Sequence, residues 1–66
     1  MKNTVTYTFN YRGVHYEISF PQLPGKGRGP EQDELFRKEL KRRGFLTRYI
    51  TKCTVHFPGW SALLDL

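Results

Sequence analysis

The sequence predicts an α+β domain: a small β-β-α-β unit in which one helix packs on the apolar face of a three-stranded sheet. Three observations predict it. Residues 4–20 alternate apolar and polar side chains in two runs; residues 30–43 carry a helix start, a charge gradient and a following glycine; and residues 46–57 alternate again.

In TVTYTFNYRGVHYEISF, Val5, Tyr7, Phe9 and Tyr11 fall on one side of the first run, and Val14, Tyr16, Ile18 and Phe20 on one side of the second. With Arg12 and Gly13 as the turn, Tyr11 faces Val14, Phe9 faces Tyr16, Tyr7 faces Ile18 and Val5 faces Phe20, so all eight share a face. A three-residue loop would set Phe9 against His15 and mix the faces. Gly13 supplies the positive φ of such a turn, whereas Arg12 is a poorer first residue than Asn or Asp. Pro21 and Pro24 lack a donor N–H and end the pairing, which leaves 21–29 as a loop.

The helix spans 30–43. Pro30 suits its first position, Glu31, Asp33 and Glu34 complement the positive end of the dipole, and Lys41, Arg42 and Arg43 complement the other. Gly44 takes the left-handed cap with Phe45 folding back on the last turn. Leu35, Phe36 and Leu40, with the stem of Arg43, form the buried stripe. In the third strand, 46–57, alternation sets Tyr49, Cys53, Val55 and Phe57 inward and Arg48, Ile50, Lys52, Thr54 and His56 outward, and Pro58-Gly59 ends it. This strand pairs with the first or the second. In the tail, 59–66, Ser61 is placed to cap a helical turn. Trp60, Leu63, Leu64 and Leu66 either complete a core that the helix cannot cover or form an exposed patch for a partner.

Sixty-six residues make one domain, and a chain of this length buries only about 60% of the surface its unfolded form exposes. The single cysteine, Cys53, can form no internal disulfide, so apolar packing carries the stability. There is no apolar run of the roughly 18 residues that span a bilayer, and the start MKNTVTYTFN lacks the apolar segment of a secretory signal. The expectation is a cytoplasmic protein that does not engage membranes.

Eleven Lys and Arg against six Asp and Glu give a net charge of +5, which favours polyanionic partners. In GKGRG, Lys26 and Arg28 sit on a glycine-rich loop able to touch a nucleic-acid backbone. The pattern lacks the G-x-x-x-x-G-K-[ST] form of a nucleotide loop, and Glu31, Asp33 and Glu34 follow it, where they repel phosphate. Three acid-before-base pairs, Asp33 with Arg37, Glu34 with Lys38 and Glu39 with Arg43, lie four apart on the helix. Lys41 and Arg42 are left over, and with Arg43, Arg48 and Lys52 they form the strongest basic cluster. A polar outer sheet face with Thr4, Thr6, Thr8, His15 and His56 is a lesser candidate, because the aromatics that would stack on bases point the other way.

Cys53 and His56 resemble half a zinc site, but residues three apart on a strand face opposite sides and no second ligand pair exists. No base is placed to activate Cys53, and the acidic residues gather at one helix start. The sequence therefore predicts no metal, no cofactor and no enzyme activity. It predicts a monomeric or homodimeric binding protein that contacts DNA or RNA through Lys26, Arg28, Lys41, Arg42, Arg43, Arg48 and Lys52, in a regulatory or accessory role. The alternative is a small inhibitor or adaptor of the kind found among phage and mobile-element accessory proteins. It docks on a host protein or nucleoprotein complex through a free sheet edge and the Trp60, Leu63, Leu64, Leu66 tail.

Overall fold

A computed structural model describes residues 3–23 and 30–66. It is an α+β structure with one helix and an antiparallel sheet of four strands, in the order β2-β1-β3-β4. Strands β1 (Thr4–Tyr11) and β2 (Val14–Pro21) form the expected hairpin in the expected register, from Tyr11 opposite Val14 to Val5 opposite Phe20. Arg12 and Gly13 adopt φ of 51° and 85°, the pair of left-handed residues that lets a two-residue turn follow the strand twist. Gly13 does so freely; for Arg12 the conformation costs about 1–2 kcal/mol.

Pro21 belongs to β2 instead of ending it. Pro21 lies opposite Thr4, and the next residue, Gln22, donates its N–H to the Asn3 carbonyl at 3.0 Å. Outward- and inward-facing main-chain groups alternate along a strand, so the missing Pro21 N–H falls on the open edge, where no ladder bond is lost.

The helix α1 (Pro30–Arg43) has the predicted bounds. Its buried residues are Gln32, Phe36 and Leu40, a row at four-residue spacing, while Leu35 is only partly covered and Arg43 is exposed. Gln32 is the unexpected member. Its Nε2 donates to the Pro21 carbonyl at 3.2 Å and its Oε1 accepts the Leu23 N–H at 2.8 Å, so a buried amide is satisfied while tying the chain after β2 to the helix. At the other end Gly44 (φ 83°) donates to the Lys41 carbonyl at 3.1 Å and Phe45 donates to that of Leu40 at 2.9 Å. These are the two bonds of a Schellman cap.

The helix sits on β1. Phe36 stacks on Tyr7 with centroids 4.2 Å apart and planes 5° apart, and meets Phe9 edge-on at 5.7 Å. Phe45 contacts Phe9, Tyr11 and Tyr16 edge-on at 5.4, 4.6 and 5.0 Å. Two tyrosine hydroxyls anchor the helix ends: Tyr7 donates to Asp33 Oδ1 at 2.9 Å, and Tyr11 Oη accepts the Leu46 N–H at 3.2 Å.

The third segment departs from simple alternation. Thr47–Tyr49 form a 3₁₀ turn, and β3 covers only Ile50–Phe57. β3 pairs antiparallel with β1, but between Thr8↔Thr54 and Asn10↔Thr51 the register shifts, so Lys52 and Cys53 together oppose Phe9. This is a β-bulge, with Lys52 at φ 54°. One extra residue inverts the facing of everything before it. Ile50, expected outside, stands opposite Tyr11 and packs on the core; Tyr49, expected inside, is 40% exposed.

The tail also differs. Pro58-Gly59 is a hairpin turn with Gly59 at φ 89°, not a strand end, and β4 (Trp60–Leu63) pairs with β3, Phe57 opposite Trp60 and Val55 opposite Ala62. The sheet therefore has four strands, not three, and Ser61 lies in β4 and caps no helix. Beyond it Leu64 donates its N–H to the Cys53 carbonyl at 2.9 Å and is buried, and Leu66 packs against the core. Among the described residues no helix is long and apolar enough to cross a membrane.

Cys53 lies in this core, and its thiol pKa is pushed up to about 11, first by burial and then by the charge of Asp33, with Arg37 opposing. A raised pKa means that this group's contribution to stability is full at neutral pH and is lost as the pH climbs from the free-thiol range towards 11. At pH 8 the native protein is expected to react with a thiol reagent about a hundredfold more slowly than the urea-unfolded chain; equal rates contradict the burial. Phe36→Ala is expected to cost about 3–5 kcal/mol, roughly all that a core of this size supplies. Its urea titration should show no cooperative transition, and a wild-type midpoint would contradict the aromatic packing.

Candidate nucleic-acid interface

The helix separates charge along its length. Glu31, Asp33 and Glu34 lie in its first half and Lys41, Arg42 and Arg43 in its last turn, with fourteen residues spanning about 21 Å. The charged residues themselves stand about 10–18 Å apart along the axis, about one to two Debye lengths in 0.1 M salt, so the acidic start screens the basic end only in part.

Part of the basic end is neutralised locally. Glu39 Oε1 accepts Arg42 Nε at 3.0 Å, while Oε2 accepts Arg42 Nη2 and Arg43 Nε at 2.6 Å each. The sequence reading gave Glu39 to Arg43 alone and left Arg42 over. On a helix both the third and the fourth residue onward are within reach, and Glu39 takes both. These hydrogen bonds, Arg42's first and Arg43's second, hold the Glu39 carboxyl down at about 2, so it is ionised at neutral pH and cancels one of the three charges. Lys41 forms no ion pair among the described residues and is exposed.

A second group of cations meets this end of the helix around Tyr11. The Tyr11 ring contacts Phe45 at 4.6 Å and Tyr49 at 6.3 Å, so the hairpin turn, the helix cap and the 3₁₀ turn converge on one residue. Over the Tyr49 ring lie two guanidiniums, Arg12 at 4.8 Å from its centroid and Arg48 at 5.2 Å. Arg48, expected on the outer sheet face, lies on the 3₁₀ turn and shares the Tyr49 ring with Arg12. Arg12 is a cation that the sequence reading treated only as a turn residue. The available signal was a basic residue in a turn position that prefers Asn, Asp or Gly.

Lys52 stands at the bulge, exposed, in a shallow depression that Cys53, Leu63, Leu64 and Asp65 also line. The Asp65 carboxylate tempers its field there, which makes it a flank of the basic end and not its centre. Lys26 and Arg28, with the rest of the glycine loop, lie outside the described residues.

The outer sheet face is largely occupied with itself. Thr6 Oγ1 and Ser19 Oγ share a hydrogen bond at 2.9 Å, Thr8 Oγ1 and His56 Nε2 one at 3.1 Å, and Asn10 Oδ1 and His15 Nδ1 one at 3.1 Å. Cys53 is in the core while His56 lies on this opposite face, as strand geometry requires. At the far edge the tail divides. Trp60 stacks on Phe57 at 4.6 Å yet stays 48% exposed, and Leu63 is 81% exposed, whereas Leu64 and Leu66 belong to the core and present little to a partner.

No protein-family model matches the chain, and neither curated proteins nor solved structures give a match.

The Glu39 pairing can be titrated. A depressed carboxyl contributes stability that is full above the ordinary carboxylate range and is lost as the pH falls through its folded value. Carbon-detected NMR is expected to place the Glu39 midpoint at about 2, and Arg42→Ala to move it back up towards that of a free glutamate. A wild-type midpoint already in the free range contradicts the shared ion pair.

Proposed function

We propose that the protein is a non-enzymatic, cytoplasmic binding protein that contacts the DNA or RNA backbone electrostatically, in a regulatory or accessory role. The observation that carries this reading is the pair of guanidiniums, Arg12 and Arg48, over the Tyr49 ring, on a chain of net charge +5, beside the Tyr11 ring against which Phe45 holds the basic end of α1. Arg42, already bound to Glu39, contributes less, and Lys52 flanks the patch. Lys26 and Arg28 complete the contact set that the sequence suggests. The Lys and Arg side chains of such a patch displace counterions condensed on the nucleic-acid phosphates, and that release supplies the affinity.

The test is binding of labelled DNA and RNA across a salt series. Log affinity is expected to fall linearly with log salt, by about 0.9 per phosphate contact on duplex and about 0.7 on single strands. Lys41→Glu with Arg48→Glu, both at exposed positions, is expected to weaken binding at least tenfold with the thermal transition unchanged. Affinity equal to wild type would remove the reading.

One observation favours a second reading, docking on a host protein. β4 is an edge strand. The hydrogen-bonded pairs Phe57/Trp60 and Val55/Ala62, continued by Leu64 with Cys53, leave the main-chain groups of Ser61 and Leu63 facing outward between two exposed apolar side chains. A partner strand added there would make this an inhibitor or adaptor, and a second copy of the chain would make it a homodimer. Trp60→Asp or Leu63→Asp is expected to abolish protein capture or dimerisation while leaving nucleic-acid affinity alone; the reverse pattern would remove this second reading.

A further inference from the structure

Among the described residues, only two that are not glycine adopt positive φ, and both are basic: Arg12 at 51° in the hairpin turn and Lys52 at 54° in the bulge. Turn and bulge positions of this kind favour glycine or asparagine, so the local fold is not what selects a cation there. Unfavoured backbone conformations that persist are found disproportionately where a side chain must be aimed. Here the Arg12 conformation accompanies a guanidinium placed over Tyr49, and the Lys52 bulge inverts the strand so that Tyr49 faces solvent.

The electrostatics point the same way. The two guanidinium carbons lie 4.8 and 5.2 Å from one ring centroid, so they are no more than roughly 10 Å apart, about a Debye length in 0.1 M salt. Neither forms an ion pair with a carboxylate among the described residues. Two like charges held against one ring repel each other, and an anion beside them relieves that repulsion. Beside the ring Leu46, whose carbonyl accepts the Tyr49 N–H at 3.0 Å, is about half exposed.

Cations alone would suit the phosphate rails of a duplex. A part-exposed ring carrying two guanidiniums, with an exposed aliphatic neighbour, suits unstacked bases as well, because every base offers a flat face to a guanidinium plane. In a duplex those faces are already stacked and inaccessible. Resting on the nucleic-acid reading above, we infer that Arg12, Arg48 and Tyr49 form a binding site for single-stranded nucleic acid, in which the guanidiniums, held over the Tyr49 ring, take phosphates and offer their planes to unstacked bases.

The experiment is fluorescence anisotropy with one labelled mixed-sequence 12-mer, as single-stranded DNA, as single-stranded RNA and as the DNA duplex, on three proteins. Wild type is expected to bind a single strand at least tenfold more tightly than the duplex. Arg12→Asn places a residue that prefers the turn conformation, so it should raise thermal stability while lowering single-strand affinity several-fold and reducing the salt slope by about 0.7. Tyr49→Leu keeps apolar bulk and removes the ring that holds both guanidiniums in place, and is expected to lose about tenfold on the single strand and several-fold less on the duplex. Duplex binding equal to or tighter than single-strand binding overturns the inference and leaves the nucleic-acid reading standing. So does wild-type single-strand affinity in folded Arg12→Asn and Tyr49→Leu. Absence of binding to all three probes overturns both.

Discussion

The architecture depends on how α1 is held to β1. Phe36 lies flat on Tyr7, the Tyr7 hydroxyl reaches Asp33 near the start of the helix, and the Tyr11 hydroxyl takes the N–H of Leu46 just past its end. Tyr7 and Tyr11 are four residues apart on one face of a central strand, so one rigid element fixes both ends of the helix. β1 pairs with β2 on one side and β3 on the other, and the same strand thereby sets the positions of every other element. In a domain with so thin a core, polar contacts that fix direction matter beside the area buried, since area alone leaves a helix free to slide along an apolar sheet.

Fixing the helix fixes the charge. With its end moored at Tyr11, the cap of the helix lies beside the hairpin turn that carries Arg12 and the 3₁₀ turn that carries Arg48. These residues are far apart in the chain, and the fold brings them together at the negative end of the helix dipole. That dipole, together with Glu39, already stabilises part of the positive charge. The remainder, on Lys41, Arg12 and Arg48, is what a polyanion would meet. The exposed edge of β4 with Trp60 and Leu63 is a chemically different surface, and the two surfaces make separable demands on a partner.

Much of the fold was legible in the chain. The alternation of Val5 to Phe20 determined the register of the first hairpin, because a three-residue loop mixes apolar and polar faces, and Pro30 and Gly44 marked the helix limits. Three features were not legible. The bulge at Lys52 leaves no mark on a pattern of alternating residues, since TRYITKCTVHF alternates almost as well with it as without it; only pairing to β1 reveals that one residue is extra. The fourth strand was hidden because Pro58-Gly59 reads equally as a stop and as a turn, and WSAL is short and only weakly patterned. Gln32 lies outside the stripe of Leu35, Phe36 and Leu40 that the sequence suggests, and its burial goes with two main-chain partners at Pro21 and Leu23 that sequence spacing does not disclose. For the site, Lys41, Arg42, Arg43 and Arg48 stand out in the sequence as basic residues on either side of Gly44. Arg12 was missed for the reason that its turn masked its charge, and Tyr49 was assigned to the core because the bulge was not foreseen.

The central claim is that the basic end gathered around Tyr11 is the working surface of this molecule. An amide NMR titration with a single-stranded oligonucleotide tests it most directly, because it reports every position at once without altering a residue. The account predicts shift changes concentrated at Arg12 and Gly13 and between Lys41 and Lys52, reversed by added salt. Changes concentrated instead at Trp60 to Leu63 or across the threonine face of the sheet, or a spectrum that stays unmoved, would contradict it.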